Sequence, residues 1–507
     1  MTPMYPTDIK PVPAPPPPPP DERPLRSSEE IQGNILAGFR KDYMTLLFLG
    51  FPVAASARSW LSKLLGRISR TKEVTDFNKR FSDARQARGG DDPENLKAVW
   101  VNVVLTHHGL IALSPSAATS LEPFTAFCEG PASRAIPLGD EGLSAPSKWM
   151  VGGPHQAPVD AVVLVAADDK NDLAVEMDKM RTLASAHGLI TVFEQRGATL
   201  PGNRAGHEHF GFKDGISQPG VAGFDFMDPK SGPGFPDHPE PQVKGHLGSD
   251  IIAAGEFVLG YPRQGSNAGE QTPHPHPGWM KDGSFFVFRR LAQDVPGFWA
   301  QVTRLAQSPS FADPSTEDVL AAKLVGRWRS GTPLDTAPNA DKRSRRDPRF
   351  DNDFEFKDDA PGHRCPRFAH IRKMYPRDNN AFGDERRRLL RRGIPYGLPF
   401  DPAGGRGHGV DAERGLLFMA YMASLEAQFE FVQQNWANNP NFPPDSPDGP
   451  DPVIGSTGAG TAPVVLRRKD KANQQMNIAR FVHTTGAVYA FAPSLSSLKV
   501  LANGTAL

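Results

Sequence analysis

Between Tyr43 and Gln195 the apolar residues change period in a fixed order, strand, helix, strand and then the same again. This order constrains the fold more than any other feature of the 507-residue chain. Tyr43-Met44-Thr45-Leu46-Leu47-Phe48-Leu49 is a short apolar run closed by Gly50 and Pro52, as a buried strand would be. Within Ser56 to Ser69, Trp60, Leu61, Leu64, Leu65 and Ile68 recur at helical spacing, and Lys97 to Leu105 is rich in β-branched residues. The unit repeats as a strand over Val159 to Ala166, an amphipathic helix over Leu173 to His187 and a strand over Leu189 to Gln195. Two such β-α-β units predict an α+β fold, a ferredoxin-like antiparallel sheet with helices on one face.

Pro and Gly crowd the chain from Phe224 to Asp250 and from Pro262 to Gly278, which marks an interdomain connection and long surface loops. A second set of elements follows: strands over Glu256 to Tyr261 and Ser284 to Arg289, a helix over Pro296 to Ala306, a strand over Leu416 to Tyr421, a helix over Leu425 to Trp436 and a last strand over Ala487 to Phe491. The two halves look alike, so duplication of one fold is expected. The boundaries drawn are 1–30 for a disordered Pro-rich arm, 31–223 for the N-terminal ferredoxin-like domain and 224–507 for the C-terminal one, with polar insertions at 331–365 and 438–463.

Hydrophobic residues make up 38% and aromatics 9%, enough for a substantial core, while 57 basic residues balance 57 acidic ones. No global field therefore draws the chain to nucleic acid or to an anionic membrane. Cys128 and Cys365 are the only cysteines, so there is no disulfide framework and no C-x-x-C-H for covalent haem attachment. Neither an apolar signal core nor an apolar run of about 18 residues is present, and a soluble, cytoplasmic protein is expected, with unconventional export left open. Monomer and homo-oligomer are both compatible with this composition.

Residues 211–220 read Gly-Phe-Lys-Asp-Gly-Ile-Ser-Gln-Pro-Gly, a constrained loop able to hold the Asp214 carboxylate rigidly, either to stabilise its own turn or to do chemistry. A zinc reading of His207-Glu208-His209 fails because the second His of a zinc helix would stand at 211, which is Gly. His274 and His276 lie in a Pro-rich surface loop, and phosphate-loop and nucleophile-elbow motifs are absent. Downstream, Phe368-Ala369-His370-Ile371-Arg372-Lys373 precedes Leu389-Leu390-Arg391-Arg392-Gly393-Ile394-Pro395-Tyr396-Gly397. Taken singly, His370 fits a core histidine as well as a ligand, and Arg386, Arg387, Arg388, Arg391 and Arg392 fit a solvated face or an RNA-binding patch as well as a site.

Together, G-x-x-D-G, A-H-I-R and L-R-R-G resemble the dye-decolorizing peroxidase family, in the order and spacing of its larger members, over Ile31 to Ser494. Ile31-Gln32-Gly33, Gly255 to Tyr261, Gly283 to Arg289, Gly326 to Leu334 and Arg414 to Phe418 extend the match. The resemblance implies two ferredoxin-like halves enclosing one non-covalent haem b per chain, with His370 as the iron ligand through Nε2 and Glu426 as the acid behind it. On the other haem face it implies Asp214 as proton relay and Arg391 as a fixed charge. Gly215, Ile216 and Ser217 would touch the porphyrin edge, and Arg329 or Arg327 would pair with a propionate. The implied partners are hydrogen peroxide and dyes, phenols or other aromatic donors oxidised one electron at a time. A carboxylate in place of histidine implies an acidic optimum. Bulky donors would need an electron path from the surface, for which Trp328, Tyr375, Tyr396 and Trp436 are candidates, against ordinary core packing for each. A porphyrin-handling protein of the deferrochelatase kind, without significant turnover, is the alternative.

Overall fold

The computed structural model describes residues 24–507 apart from 90, 226–249, 266, 268, 309–315, 342–350, 378–382, 402–408, 410–411, 445–446 and 459. Most of the expected N-terminal arm and of the interdomain connection thus lies outside the described residues. Strands β1 (Tyr43–Gly50), β2 (Val99–Leu105), β3 (Ala161–Ala167) and β4 (Ile190–Ala198) follow the expected positions closely. They pair antiparallel in the spatial order β4-β1-β3-β2, with helices Ala54–Leu64 and Lys170–Ala186 making the two crossovers. That is the ferredoxin-like arrangement.

The second half repeats it. Strand β5 (Ser284–Gln293) leads into helix Val295–Ala306, the short β6 (Leu390–Arg391) and β7 (Ile394–Tyr396) share the second position, β8 (Gly415–Met422) is third, and β11 (Val482–Ala492) is fourth. Their order, β11-β5-β8-β6 with β7 also on β8, matches the first half position for position. The halves join edge to edge where Phe491 pairs with Leu105, completing a nine-stranded antiparallel sheet. Between β8 and β11 along the chain comes the hairpin β9 (Thr461–Leu466) and β10 (Gln474–Ala479), which packs against helix Val295–Ala306 through Val302, Val464 and Ile478.

Alternate residues of the strands face two cores, which explains why the strands read as continuous apolar runs rather than alternating ones. Leu47 and Leu49 pack with Trp60, Leu61 and Met177 under the helices, while Met44, Leu46 and Phe48 join Phe286, Phe288, Leu417 and Met419 between the halves. Both cores draw residues from both halves.

One expectation is corrected and another refined. Glu256 to Tyr261 is not a strand: past a 3₁₀ turn at Ala254–Glu256, Phe257 and Val258 pack into the inter-half core and Leu259 into the core under the helices, which rewards these apolar residues without a strand partner. The segment Leu425 to Trp436 is helical but π-wound, as turns Leu425–Glu430 and Val432–Ala437. The 438–463 insertion buries Asp448 and Asp451. Helix Thr71–Ala87, with only Thr71, Val74 and Phe77 buried, carries too thin an apolar stripe to be read from periodicity.

Candidate active site

The Asp214 loop closes on itself. His207 and Lys213 form an antiparallel bridge, Asp214 N donates to Gly206 O at 2.9 Å, and Glu208 N donates to Phe212 O at 3.0 Å. Gly211 and Gly215 have φ of 98° and 74°, a region that side chains disfavour. Asp214 Oδ1 accepts from Gly215 N at 2.6 Å, so the carboxylate does stabilise its own turn, yet it stays exposed and able to act elsewhere.

Arg391 reaches the same place from β6, where its backbone pairs with Ala420. The Gln218 side chain clamps that backbone, Nε2 donating to Arg391 O at 3.0 Å and Oε1 accepting from Arg391 N at 3.2 Å. The guanidinium then donates through Nη2 to Ser217 O at 2.8 Å and through Nη1 to Asp214 Oδ1 at 3.4 Å, the latter at the weak end of hydrogen bonding.

His370 opens the short helix His370–Met374 directly after the buried Phe368-Ala369. Arg372 anchors that helix by donating to Cys365 O at 2.8 Å and Asp359 O at 2.9 Å, and Lys373 does so by donating to Asn439 O at 2.6 Å. The imidazole Nδ1 lies 2.7 Å from Oδ2 of Asp451, whose fully buried carboxylate also accepts from Val453 N at 2.7 Å and Ile454 N at 3.1 Å. An ionised carboxylate only accepts, so Nδ1 carries the proton and Nε2 presents its lone pair in the neutral ring. Burial opposes charge on this imidazole, but Asp451 outweighs it and holds the ring above its ordinary range; Arg391 and Asp214 also act on it, in opposite senses. The three residues therefore share one electrostatic neighbourhood.

One assignment changes. The acid on His370 is Asp451, not Glu426: Glu426 sits in the first turn of the π-wound helix, and its Oε1 accepts from Ala126 N at 2.7 Å. An acid there serves free backbone amides of a neighbouring segment rather than the imidazole. Arg329 gives its guanidinium to other partners, Nε lying 3.3 Å from Asp318 Oδ1 and the group stacking on Trp299, beside an open cavity of about 650 Å³. Its side chain passes alongside Gly211 of the loop, and its carbonyl accepts from Lys213 N at 3.1 Å. Trp328, Tyr375, Tyr396 and Trp436 are 5%, 8%, 3% and 3% exposed, so none lies at the surface. Asp451 and Gln218 were not singled out in the sequence.

The donor set fits a haem. His370 offers one imidazole lone pair backed by a carboxylate, the usual support of an axial histidine. Nothing stands within 4 Å of the place a Cβ would occupy at Gly215, Ser217 Oγ is buried without a partner, and so is Nη2 of the buried Arg327. Arg327 thus has the spare donor that a carboxylate such as a propionate requires. A free-standing metal ion does not fit, since no group of three His, Cys, Asp or Glu able to hold one occurs among the described residues. Nor is any helix among them long and apolar enough to cross a membrane.

Known proteins resemble the chain along most of its length. Residues 30–199 match the family model described as the DyP dimeric alpha+beta barrel domain, and residues 262–443 match that of the Dyp-type peroxidase C-terminal region. The dye-decolorizing peroxidase msp1 of Mycetinis scorodonius is 31% identical over 494 residues, covering 93% of this chain and 87% of that protein. The multifunctional dye peroxidase DyP2 of an Amycolatopsis species is 32% identical over 499 residues, covering 93% and 95%. Among solved structures, the Auricularia auricula-judae enzyme complexed with imidazole superimposes with a TM-score of 0.76 at 28% identity, covering 94% of this chain and all of that one. An ancestral D-type dye-decolorizing peroxidase gives 0.72 at 31% identity, covering 94% and 98%. With both domain models, the fold and relatives along nearly the whole chain in agreement, the protein belongs to the dye-decolorizing peroxidase family and is a peroxidase, an oxidoreductase of a haem-dependent family.

Proposed function

We propose that this peroxidase binds one haem b per chain through His370 Nε2, reduces hydrogen peroxide, and draws electrons singly from dyes, phenols and related aromatic donors. The observation that supports this best is the pairing of a carboxylate-backed imidazole lone pair at His370 with the Asp214–Arg391 couple in the same electrostatic neighbourhood. Haem, when bound, supplies the iron that takes up oxidising equivalents and passes them on one electron at a time. Asp451 holds the His370 ring in its Nδ1–H tautomer and makes Nε2 a stronger base. Arg327 is the side chain best placed to hold a propionate.

Asp214 is exposed enough to meet a small molecule, and its carboxylate can take a proton from one peroxide oxygen and return it to the other, which leaves as water. Arg391 keeps its positive charge throughout and stabilises the negative charge that gathers on the departing oxygen. Gln218 fixes the Arg391 backbone and the Ser217 carbonyl holds the guanidinium before reaction, so the site does not reorganise to use it.

Rapid-mixing measurements test the assignment. Asp214→Ala and Arg391→Leu should each retain haem and lower the second-order rate of peroxide consumption by about 10²-fold or more. Parental rates in both would overturn it. A porphyrin carrier, by contrast, would bind haem and turn over dyes no faster than free haem does.

A further inference from the structure

Glu208 does not enter the chemistry above, yet it is the acid on which the shape of the Asp214 loop turns. Its Oε1 accepts from Phe212 N at 2.9 Å, and its Oε2 accepts from Phe210 N at 2.8 Å and from Gln293 Nε2 at 2.6 Å. The first two donors belong to the loop itself. The third belongs to the last residue of β5, an interior strand of the sheet. No lysine, arginine or histidine forms an ion pair with Glu208 among the described residues, so backbone and amide dipoles alone satisfy it.

This arrangement demands a carboxylate. Both oxygens must accept, whereas a glutamine would present an NH₂ to N–H donors at one end. Keeping an acid here is costly: loss of water pushes its carboxyl up to about 7, against the hydrogen bonds it receives, and the nearby Asp214 charge pushes the same way. The rest of the loop is pinned around it. The Phe210 ring stacks on Phe298 with centroids 4.5 Å apart, Trp299 Nε1 donates to Phe210 O at 3.2 Å, and Asp214 N is held by Gly206 O. Phe212, fixed by Glu208, lies two residues before Asp214.

We propose that Glu208 is a positioning residue for Asp214, an internal brace that ties the loop to β5 and sets where the Asp214 carboxylate stands. This rests on the peroxidase reading for its kinetic consequence, but the brace itself does not. Glu208→Gln in the haem-loaded enzyme should lower the peroxide rate about tenfold or more while haem content and the KM for a dye stay parental, because a small misplacement of a catalytic group is costly. In an Asp214→Ala background the same substitution should cost nothing further, since it acts through Asp214. Amide exchange at Phe210 and Phe212 should quicken at least tenfold in the variant, with or without haem.

Gln293→Ala, which removes one donor and leaves the carboxylate, guards against a folding defect and should give a smaller loss with the same non-additivity. Parental peroxide rates in both variants, or an equal loss with and without Asp214, would overturn the proposal. If the parent enzyme consumed no peroxide at all, the peroxidase reading would fall, and unchanged amide exchange in Glu208→Gln would still decide separately against the brace.

Discussion

Asp451 carries three hydrogen bonds with no exposure to water, which makes it the residue whose loss should be felt most widely around His370. Asp451→Ala leaves two backbone amides and the imidazole Nδ1 without their acceptor, at about 1–3 kcal/mol for each buried group so stranded. Thermal unfolding should fall markedly, and haem affinity should drop about 10- to 100-fold by titration, whereas Glu426→Gln should leave haem affinity parental. His209 gives the molecule a pH dependence of its own. Its Nε2 donates to Tyr396 O at 2.8 Å, and burial holds the ring down at about 4, with the charges of Arg414 and Arg204 adding to the effect. A histidine depressed on folding binds protons more readily unfolded, so stability rises with pH from about 4 to the ordinary 6.5 and is lost on acidification through that window. The residue should account for about 3 kcal/mol across it. His209→Gln should flatten that part of the stability-against-pH curve, measured by denaturant unfolding. At this scale, Asp214, Arg391 and His370 were legible because each lies in a short motif and the motifs recur in order. Asp451 was not, lying 81 positions from its histidine in a Pro- and Gly-rich stretch, and Gln218 acts only on backbone atoms, which leaves no side-chain pattern to read.

The elements were legible where burial on both faces imposed long apolar runs, as in β1, β3, β5 and β8, and where a broad stripe marked a helix, as in Lys170–Ala186. They were not where tertiary packing overrode local preference: the apolar Phe257-Val258-Leu259 sits in a turned segment, and the Asp214 loop depends on contacts from β5. Close packing between strands sets a further condition on sequence. Gly415 opens β8 directly against β5, and an added Cβ would run into the carbonyl oxygen of Leu291 and lie 2.8 Å from Tyr396. Gly415→Ala should therefore destabilise the fold by about 1–3 kcal/mol or more, read as a lowered midpoint in urea. A parental midpoint would mean that β5 and β8 part more easily than their ladder suggests.

For the whole molecule, the duplicated half is the organising fact, and the two copies are not independent. Their sheets meet at Phe491 and Leu105, and the inter-half core mixes Met44, Leu46 and Phe48 with Phe286, Phe288 and Leu417. Across the opposite edges, a Cβ at Gly197 on β4 would lie 2.7 Å from Ile394 Cγ2 on β7. Denaturation followed by tryptophan fluorescence and by far-ultraviolet dichroism should accordingly give one coincident transition. Two separated transitions would show that each half holds its own core. The most direct test of the account as a whole is the absorption spectrum of purified protein before and after stoichiometric hydrogen peroxide, alongside His370→Ala. A haem held through His370 should give the parent a Soret band that shifts within the mixing time and then returns on adding a dye, and a band lost or displaced in His370→Ala. A parent without a Soret band after haem reconstitution, or a variant whose spectrum and response match the parent's, would contradict it.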